Sequence, residues 1–123
     1  MKKRNSNSQA FFRARIVKLD GERCRNPLHG ELMKSLGLKM IAILRFMAHH
    51  IKYRSQRGKN TAENGIMFCQ YCDHAVHHGV GKGEDRLAGR QYMLKILDAL
   101  ESASDYRWSE VHAELRKRYG AVA

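Results

Sequence analysis

The 123-residue sequence has little of what secreted, membrane-anchored or repetitive proteins need. A single proline and ten glycines exclude a collagen-like or low-complexity chain. Three cysteines, an odd number with two spaced C-x-x-C, are poor material for a secreted disulfide framework. The longest apolar run, Met40–Leu44, is far too short to span a bilayer. These absences predict a folded cytoplasmic protein that does not enter a membrane.

Acidic residues are also scarce, with 12 Asp and Glu against 23 Lys and Arg, for a net charge of +11. The excess is uneven, because residues 1–60 carry +12 and residues 61–123 carry −1. A basic half joined to a neutral half favours a polyanionic partner. We therefore expect a disordered basic arm at residues 1–10 and one small domain at 11–123. Within that domain, residues 11–60 form a basic half that contacts the polyanion, and residues 61–123 form a neutral half.

Hydrophobic periodicity predicts a mainly α fold of about three helices. The strongest pattern runs over about 31–56, where apolar residues fall in one sector and Gly37 can divide the helix. Further helices are expected at about 84–103 and 105–119. A short strand and loop around a Cys/His cluster should separate the first helix from the second. The segment Phe11–Leu19 alternates only partly, which leaves an edge strand or an arm that orders on binding.

Basic residues interleaved with aromatic rings mark candidate nucleic-acid contacts. Rings can stack on unpaired bases while the neighbouring charges neutralise phosphates, although Phe11 and Phe12 also suit a protein core. On the predicted first helix, Lys34, Arg45 and Lys52 superpose in a view along the helix axis, because eleven and eighteen residues are close to whole numbers of turns. The predicted contacts, DNA or RNA being open, are Lys2, Lys3, Arg4, Arg13, Arg15, Lys34, Arg45, Lys52, Tyr53 and Arg54.

The segment from Cys69 to His78 has the character of a metal-ligand cluster. C-x-x-C places two thiolates on one tight turn, where a tetrahedral Zn²⁺ can take both. The candidate ligands of Zn²⁺ are Cys69, Cys72, His77, His78 and Cys24, with His29 as the alternative to Cys24. The spacing C-x2-C-x4-H resembles the first three ligands of a retroviral-type zinc knuckle, whose fourth position is Lys82 here. Buried structural cysteines and a redox pair remain alternatives.

These patterns predict a small nucleic-acid-binding accessory or regulatory protein, stabilised by zinc, whose C-terminal helices serve as scaffold or as a surface for a protein partner. One alternative is a non-enzymatic inhibitor or adaptor that docks on an acidic protein. A second is a metal-dependent nuclease, since Cys, Asp and His beside a metal resemble the HNH nucleases. In that family the Asp-His pair lies well downstream of C-x-x-C, whereas Asp73-His74 directly follows Cys72. No catalytic residue is predicted.

Overall fold

A computed structural model describes residues 9–37, 43–80 and 85–120. Over these ranges the chain forms five α-helices and a two-stranded sheet, so the mainly helical prediction is confirmed, with five helices in place of about three. Two short 3₁₀ turns, Arg54–Gln56 and Ala62–Asn64, lie between the strands. The elements are α1 (Gln9–Asp20), α2 (His29–Ser35), β1 (Phe46–His50), β2 (Gly65–Cys69), α3 (Gln70–His78), α4 (Arg86–Ser102) and α5 (Ser109–Tyr119).

The two strands form an antiparallel hairpin that is covered on both faces. Phe46 pairs with Cys69 at one end and His50 pairs with Gly65 at the other. All five residues of β2 are buried, and alternation sends Met67 against α1 while Ile66 and Phe68 enter the main core. The predicted strand at residues 66–68 is therefore confirmed, and it delivers Cys69 to the start of α3.

The predicted helix over 31–56 is wrong. In the described part of that range α2 is the one α-helix: it stops at Ser35, Gly37 follows with φ +71°, residues 46–50 form β1 and Arg54–Gln56 form a 3₁₀ turn. Residues 38–42 lie outside the described ranges. The apolar spacing near residue 47 also fits a strand, and the buried backbone of β2 needs a hydrogen-bonding partner that a helix cannot supply. The three basic residues predicted to share one helix face, Lys34, Arg45 and Lys52, consequently lie on α2, just before β1 and just after β1.

Residues 11–19 form part of a helix, and neither an edge strand nor an unstructured arm. Phe12, Ile16 and Asp20 recur every four residues and are buried on one face of α1. That face packs on the hairpin at Gly65, where an added Cβ would lie 2.4 Å from Ile16 Cδ1. Close approach of α1 therefore requires glycine at this position. The helix begins at Gln9 and so takes in the last two residues of the predicted arm.

The last two helices complete the core. α4 matches the prediction for 84–103 within two residues at its start and one at its end, and the Asp85 side chain caps it by accepting from the Ala88 N–H at 2.7 Å. α5 begins later than predicted, and the stripe that includes Trp108 and Leu115 packs into the domain's own core. Leu87, in the first turn of α4, is exposed. None of the described helices is long and apolar enough to cross a bilayer.

A buried carboxylate ties the elements together. Asp20 Oδ1 accepts from Arg25 Nη1 at 2.8 Å and from Arg107 Nη1 at 2.6 Å, and Asp20 Oδ2 accepts from the Met67 N–H at 3.2 Å. The carboxylate of Asp20 is fully buried. One anion thus joins the end of α1, strand β2 and the residues that precede α5.

We expect Asp20→Asn to lower the free energy of unfolding by about 3–5 kcal/mol, because it leaves the partly buried Arg107 without a counter-charge and leaves Arg25 with Asp105 alone. Urea denaturation followed by circular dichroism measures this. Glu22→Gln is the matched control: it breaks an exposed ion pair with Arg13 and should cost less than about 1 kcal/mol. Equal losses in the two variants would show that Asp20 is not a structural centre.

Candidate metal centres

Four side chains from three parts of the chain form a buried cysteine cluster. Cys24 and His29 come from the segment between α1 and α2 and from the start of α2, Cys69 ends β2, and Cys72 lies in the first turn of α3. Their candidate ligand atoms all lie within 4.8 Å of one another. The three cysteines are free thiols, and Cys69 and Cys72 are fully buried. The hairpin and α3 thereby meet the front half of the chain at one point.

The spacing within the cysteine cluster fits a tetrahedral zinc ion. His29 Nδ1 lies 3.4 Å from Cys72 Sγ and 3.5 Å from Cys69 Sγ. Ordinary Zn–S and Zn–N bond lengths at a tetrahedral angle place a sulfur and a nitrogen about 3.6 Å apart. Three thiols and one imidazole are also a donor set that structural zinc takes. The residues present therefore suit zinc in both chemistry and spacing.

Neighbouring groups prepare the cysteine cluster for a cation. Asn26 Nδ2 donates to Cys72 Sγ at 3.2 Å, while Asn26 Oδ1 accepts from the Leu28 N–H at 2.8 Å and fixes the turn before α2. Hydrogen bonds from the Cys24 and Cys72 thiols lower the pKa of Cys69, and the same crowding raises the pKa of Cys72. One thiolate is thus stabilised even before the other two thiols lose their protons.

A second group, the His/Asp cluster, consists of His49 on β1 with Asp73 and His77 on α3. Asp73 Oδ1 lies 3.3 Å from His49 Nδ1 and 3.7 Å from His77 Nε2. Asp73 and His77 are four residues apart, so one face of α3 carries both. On a tetrahedral ion, a ligating imidazole nitrogen and a ligating carboxylate oxygen would lie about 3.4 Å apart. Since Cys72 faces the other cluster, α3 serves one metal-ligand set on each of two faces.

Burial and hydrogen bonding put His49 and Asp73 in the protonation states that bind metal ions. Burial lowers the pKa of His49 to about 4, so its imidazole is neutral at physiological pH. Burial alone would raise the pKa of Asp73, but hydrogen bonds from His49 and His77 hold it well below its usual value. A neutral imidazole and an ionised carboxylate are the forms that bind metal ions.

Two residues outside the cluster position its histidines. Tyr53 Oη lies 3.1 Å from His77 Nδ1, and the two rings stack with centroids 5.3 Å apart. Arg90 from α4 is buried over the Tyr53 ring and donates to the carbonyls of Ile51 at 2.6 Å and Val76 at 3.1 Å. Arg90 therefore joins the end of β1 to α3, the two elements that supply the cluster. Partners of this kind fix the orientation of metal-binding histidines.

The two clusters differ in access to solvent. The cysteine cluster has four candidate ligands and a buried pair of cysteines, the arrangement of a closed structural site. The His/Asp cluster has three, and its His77 lines an open cavity of about 490 Å³ together with Ser55 and Arg86. Three protein ligands beside an open position are typical of a catalytic metal site.

The structure divides the metal ligands predicted from the sequence between different places. It brings Cys24, Cys69 and Cys72 together, and His29 joins them as the fourth member. His77 belongs to the His/Asp cluster instead. His78 is exposed on α3 and packs against His74, with ring centroids 4.5 Å apart, so neither ring reaches the cysteines.

The predicted nucleic-acid contacts are scattered, and several already have partners. Arg13 donates to the Phe46 carbonyl and pairs with Glu22. Arg15 donates to the Asn60 carbonyl and Lys52 pairs with Glu114. Tyr53 is stacked on His77, while Lys34, Arg45 and Arg54 are exposed on α2, on the segment before β1 and on the 3₁₀ turn after β1, respectively. Lys2, Lys3 and Arg4 lie outside the described residues.

Sequence reasoning missed His49, Asp73 and Asn64. The helix predicted over 31–56 includes His49 and offers no reason to pair it with Asp73, and the sequence presents Asp73 only beside His74. Asn64 is buried, with Oδ1 accepting from the Lys52 N–H at 2.7 Å and Nδ2 donating to the Lys59 carbonyl at 2.9 Å. The available signal was the four-residue spacing of Asp73 and His77, which becomes meaningful only if residues 70–78 are helical.

A family model described as HNH endonuclease matches residues 22–79. The matched range is slightly under half of the chain, and it contains every member of both clusters. No curated protein and no solved structure gave a significant match to the chain. The match and the two clusters together point to nucleic-acid binding and to metal binding.

Proposed function

We propose that the protein is a metal-dependent nuclease that hydrolyses phosphodiester bonds in DNA. The observation that carries this proposal is the open His/Asp cluster, which lies within the residues matched by the HNH endonuclease model. The cysteine cluster would hold a structural zinc that fixes β2 and α3, and hence the position of Asp73 and His77. The hypothesis that ranked last on the sequence alone therefore becomes the leading one.

A divalent metal ion bound by His49, Asp73 and His77 would act as a Lewis acid, stabilising negative charge on the phosphate during cleavage. The protein's own groups prepare that position. Asp73 supplies a fixed negative charge, and the stacked Tyr53 holds the ring of His77 with its Nε2 towards Asp73. His49 is buried, which keeps water away from its side of the cluster, while the cavity beside His77 leaves the other side accessible to a phosphodiester.

A non-enzymatic DNA-binding protein is the competing function, and the net charge of +11 is compatible with either. A regulatory protein needs a binding surface and a stable fold but no second metal-ligand set beside an open cavity. The His/Asp cluster therefore favours the nuclease over the binding protein and over an adaptor for acidic proteins. RNA as the binding partner, the regulatory role and a cytoplasmic location remain predictions from the sequence.

Incubation with supercoiled plasmid DNA tests this function. With Mg²⁺ or Mn²⁺ added to the zinc-containing protein, we expect conversion of supercoiled DNA to nicked and linear forms. Dialysis that removes only the weakly held metal should stop cleavage, and adding back Mg²⁺ should restore it. Agarose electrophoresis over a time course provides the rates.

A folded, zinc-containing protein that leaves the plasmid intact with Mg²⁺, Mn²⁺, Ni²⁺ and added Zn²⁺ would contradict the nuclease proposal. The same preparation serves for a binding measurement. Salt-dependent DNA binding without cleavage would identify the regulatory alternative, since phosphate contacts make affinity fall with salt whether or not the strand is cut.

A further inference from the structure

The cavity beside His77 continues into a second groove. Ser55 lines both the cavity of about 490 Å³ next to the His/Asp cluster and a groove of about 620 Å³. The groove lies between the segment that follows β1 and the C-terminal half of α5, where Arg57 faces Lys117 and Arg118. A surface path therefore leads from the His/Asp cluster to α5, which lies beyond the residues that the HNH model matches.

Cations without counter-charges line this path. Within residues 9–37, 43–80 and 85–120, no carboxylate lies in salt-bridge range of Arg57, Lys117 or Arg118, nor of Arg86 at the cavity. Lys52 differs, because its Nζ pairs with Glu114 Oε2 at 3.0 Å and its charge is compensated. Exposed unpaired cations that converge on one groove create a positive potential that attracts a polyanion. We name this set, Arg57, Arg86, Lys117 and Arg118, the phosphate track.

The segment that presents Arg57 is held rigidly. Asn64 bonds to both the N–H and the carbonyl of Lys52, at 2.7 and 3.0 Å, and to the Lys59 carbonyl at 2.9 Å. Arg57 itself has φ +65°, and its N–H donates to the Arg54 carbonyl at 3.0 Å. A non-glycine residue in this conformation is strained, and the surrounding contacts must offset that strain. Its side chain is therefore presented from a fixed backbone position, which lowers the entropic cost of binding a phosphate.

The groove offers charge but no free ring for stacking. Its lining contains no aromatic side chain, and Tyr53 in the adjoining cavity is already enclosed between Arg90 and His77. Binding of unpaired bases depends on stacking against aromatic side chains. A surface that offers only cations suits a partner recognised through its backbone, as duplex DNA is in sequence-independent binding.

We propose that the phosphate track binds the sugar-phosphate backbone of duplex DNA to one side of the His/Asp cluster. This inference rests on the proposed function for its account of what happens at the cluster. It differs from the sequence prediction, because two of its members come from α5 in the neutral half of the chain. The basic half alone does not form the interface.

The test measures binding of a fluorescein-labelled DNA duplex of about 20 base pairs by anisotropy at several salt concentrations. All proteins carry His77→Ala, so that the duplex stays intact. Adding Arg57→Gln and Lys117→Gln should reduce the slope of log affinity against log salt by about 2 and weaken binding at least tenfold near 100 mM salt, because two phosphate contacts are lost. The control adds Lys18→Gln and Lys95→Gln, two exposed lysines on α1 and α4 that remove the same total charge, and should leave the slope unchanged.

Equal weakening by the two double variants would overturn the phosphate track, since only total charge would then matter. Tighter binding of the corresponding single strand or of duplex RNA than of duplex DNA would also overturn it. Failure here is distinguishable from failure of the nuclease proposal. If the protein binds DNA through the phosphate track but never cuts it, this inference stands and the proposed function fails. If the wild-type protein cuts DNA but the Arg57→Gln and Lys117→Gln substitutions leave the salt slope unchanged, the proposed function stands and this inference fails.

Discussion

Removal of zinc is expected to unfold the domain. The cysteine cluster joins Cys24 and His29 of the front half to Cys69 and Cys72, and hence holds the hairpin and α3 in place. Binding of a structural zinc contributes about 10–16 kcal/mol of apparent free energy, which matches or exceeds the net stability of most small domains, about 5–15 kcal/mol. Circular dichroism at increasing temperature, with and without a strong zinc chelator, should show a cooperative transition only when zinc is present.

Cys69→Ser makes the same point without a chelator. We expect the variant to lose its equivalent of zinc, measured by mass spectrometry of the metal, and to lose cooperative unfolding as well. His77→Ala is the control, because it removes a candidate ligand of the other cluster and should retain both zinc and the melting transition. A metal-free wild-type protein with a normal melting temperature would refute the structural zinc site.

Loss of His77 is expected to abolish DNA cleavage while the fold survives. His77 is half-buried at the rim of the open cavity, and its removal leaves the metal ion with two protein ligands, His49 and Asp73. Altering even the outer partners of metal ligands typically costs 10–100-fold in affinity or activity. We therefore expect the cleavage rate of His77→Ala to fall by more than about 100-fold, measured as loss of supercoiled plasmid with Mg²⁺.

His74→Ala provides the matched control for this variant. It also removes one imidazole from α3, but His74 is exposed and packs against His78 on the outer side of the helix. On the sequence alone, a nuclease would use the adjacent pair Asp73-His74. Activity close to that of the wild type in His74→Ala would therefore favour the His/Asp cluster over that adjacent pair.

Local sequence signals predicted the elements whose stability depends on neighbours along the chain. The helix expected at 84–103 has an acidic residue, Asp85, at its start and apolar residues at helical spacing, and α4 ends within a residue of the prediction. The strand at 66–68 is a short run of large apolar residues before Cys69. In both cases the burial pattern and the local propensities agree.

The remaining elements depend on contacts between distant residues. Residues 46–50 can follow helical or strand periodicity, and pairing with β2 decides between them. A helix over that segment would not bring His49 beside Asp73 and His77, so the His/Asp cluster could not be assembled from the sequence. The cysteine set was easier to anticipate, since C-x-x-C is itself a local pattern and only Cys24 and His29 had to come from elsewhere.

The net charge of the chain was informative, but the distribution of charge along the sequence did not show where the unpaired cations lie in the structure. Arg13, Arg25 and Lys52 belong to the basic half, yet each is paired with a carboxylate and contributes to the fold. In the neutral half, Lys117 and Arg118 lie on the face of α5 that lines the groove. Counts of residues cannot separate paired from unpaired charges, because the pairing depends on the tertiary structure.

The most direct test of the account is the ratio of two cleavage rates. His77→Ala and His74→Ala proteins, each shown to contain one zinc and to melt at the temperature of the wild type, are compared on supercoiled plasmid with Mg²⁺. We expect His74→Ala to cleave at a rate close to that of the wild type and His77→Ala to be slower by more than about 100-fold. Equal rates for the two variants would contradict a catalytic metal centre at His49, Asp73 and His77.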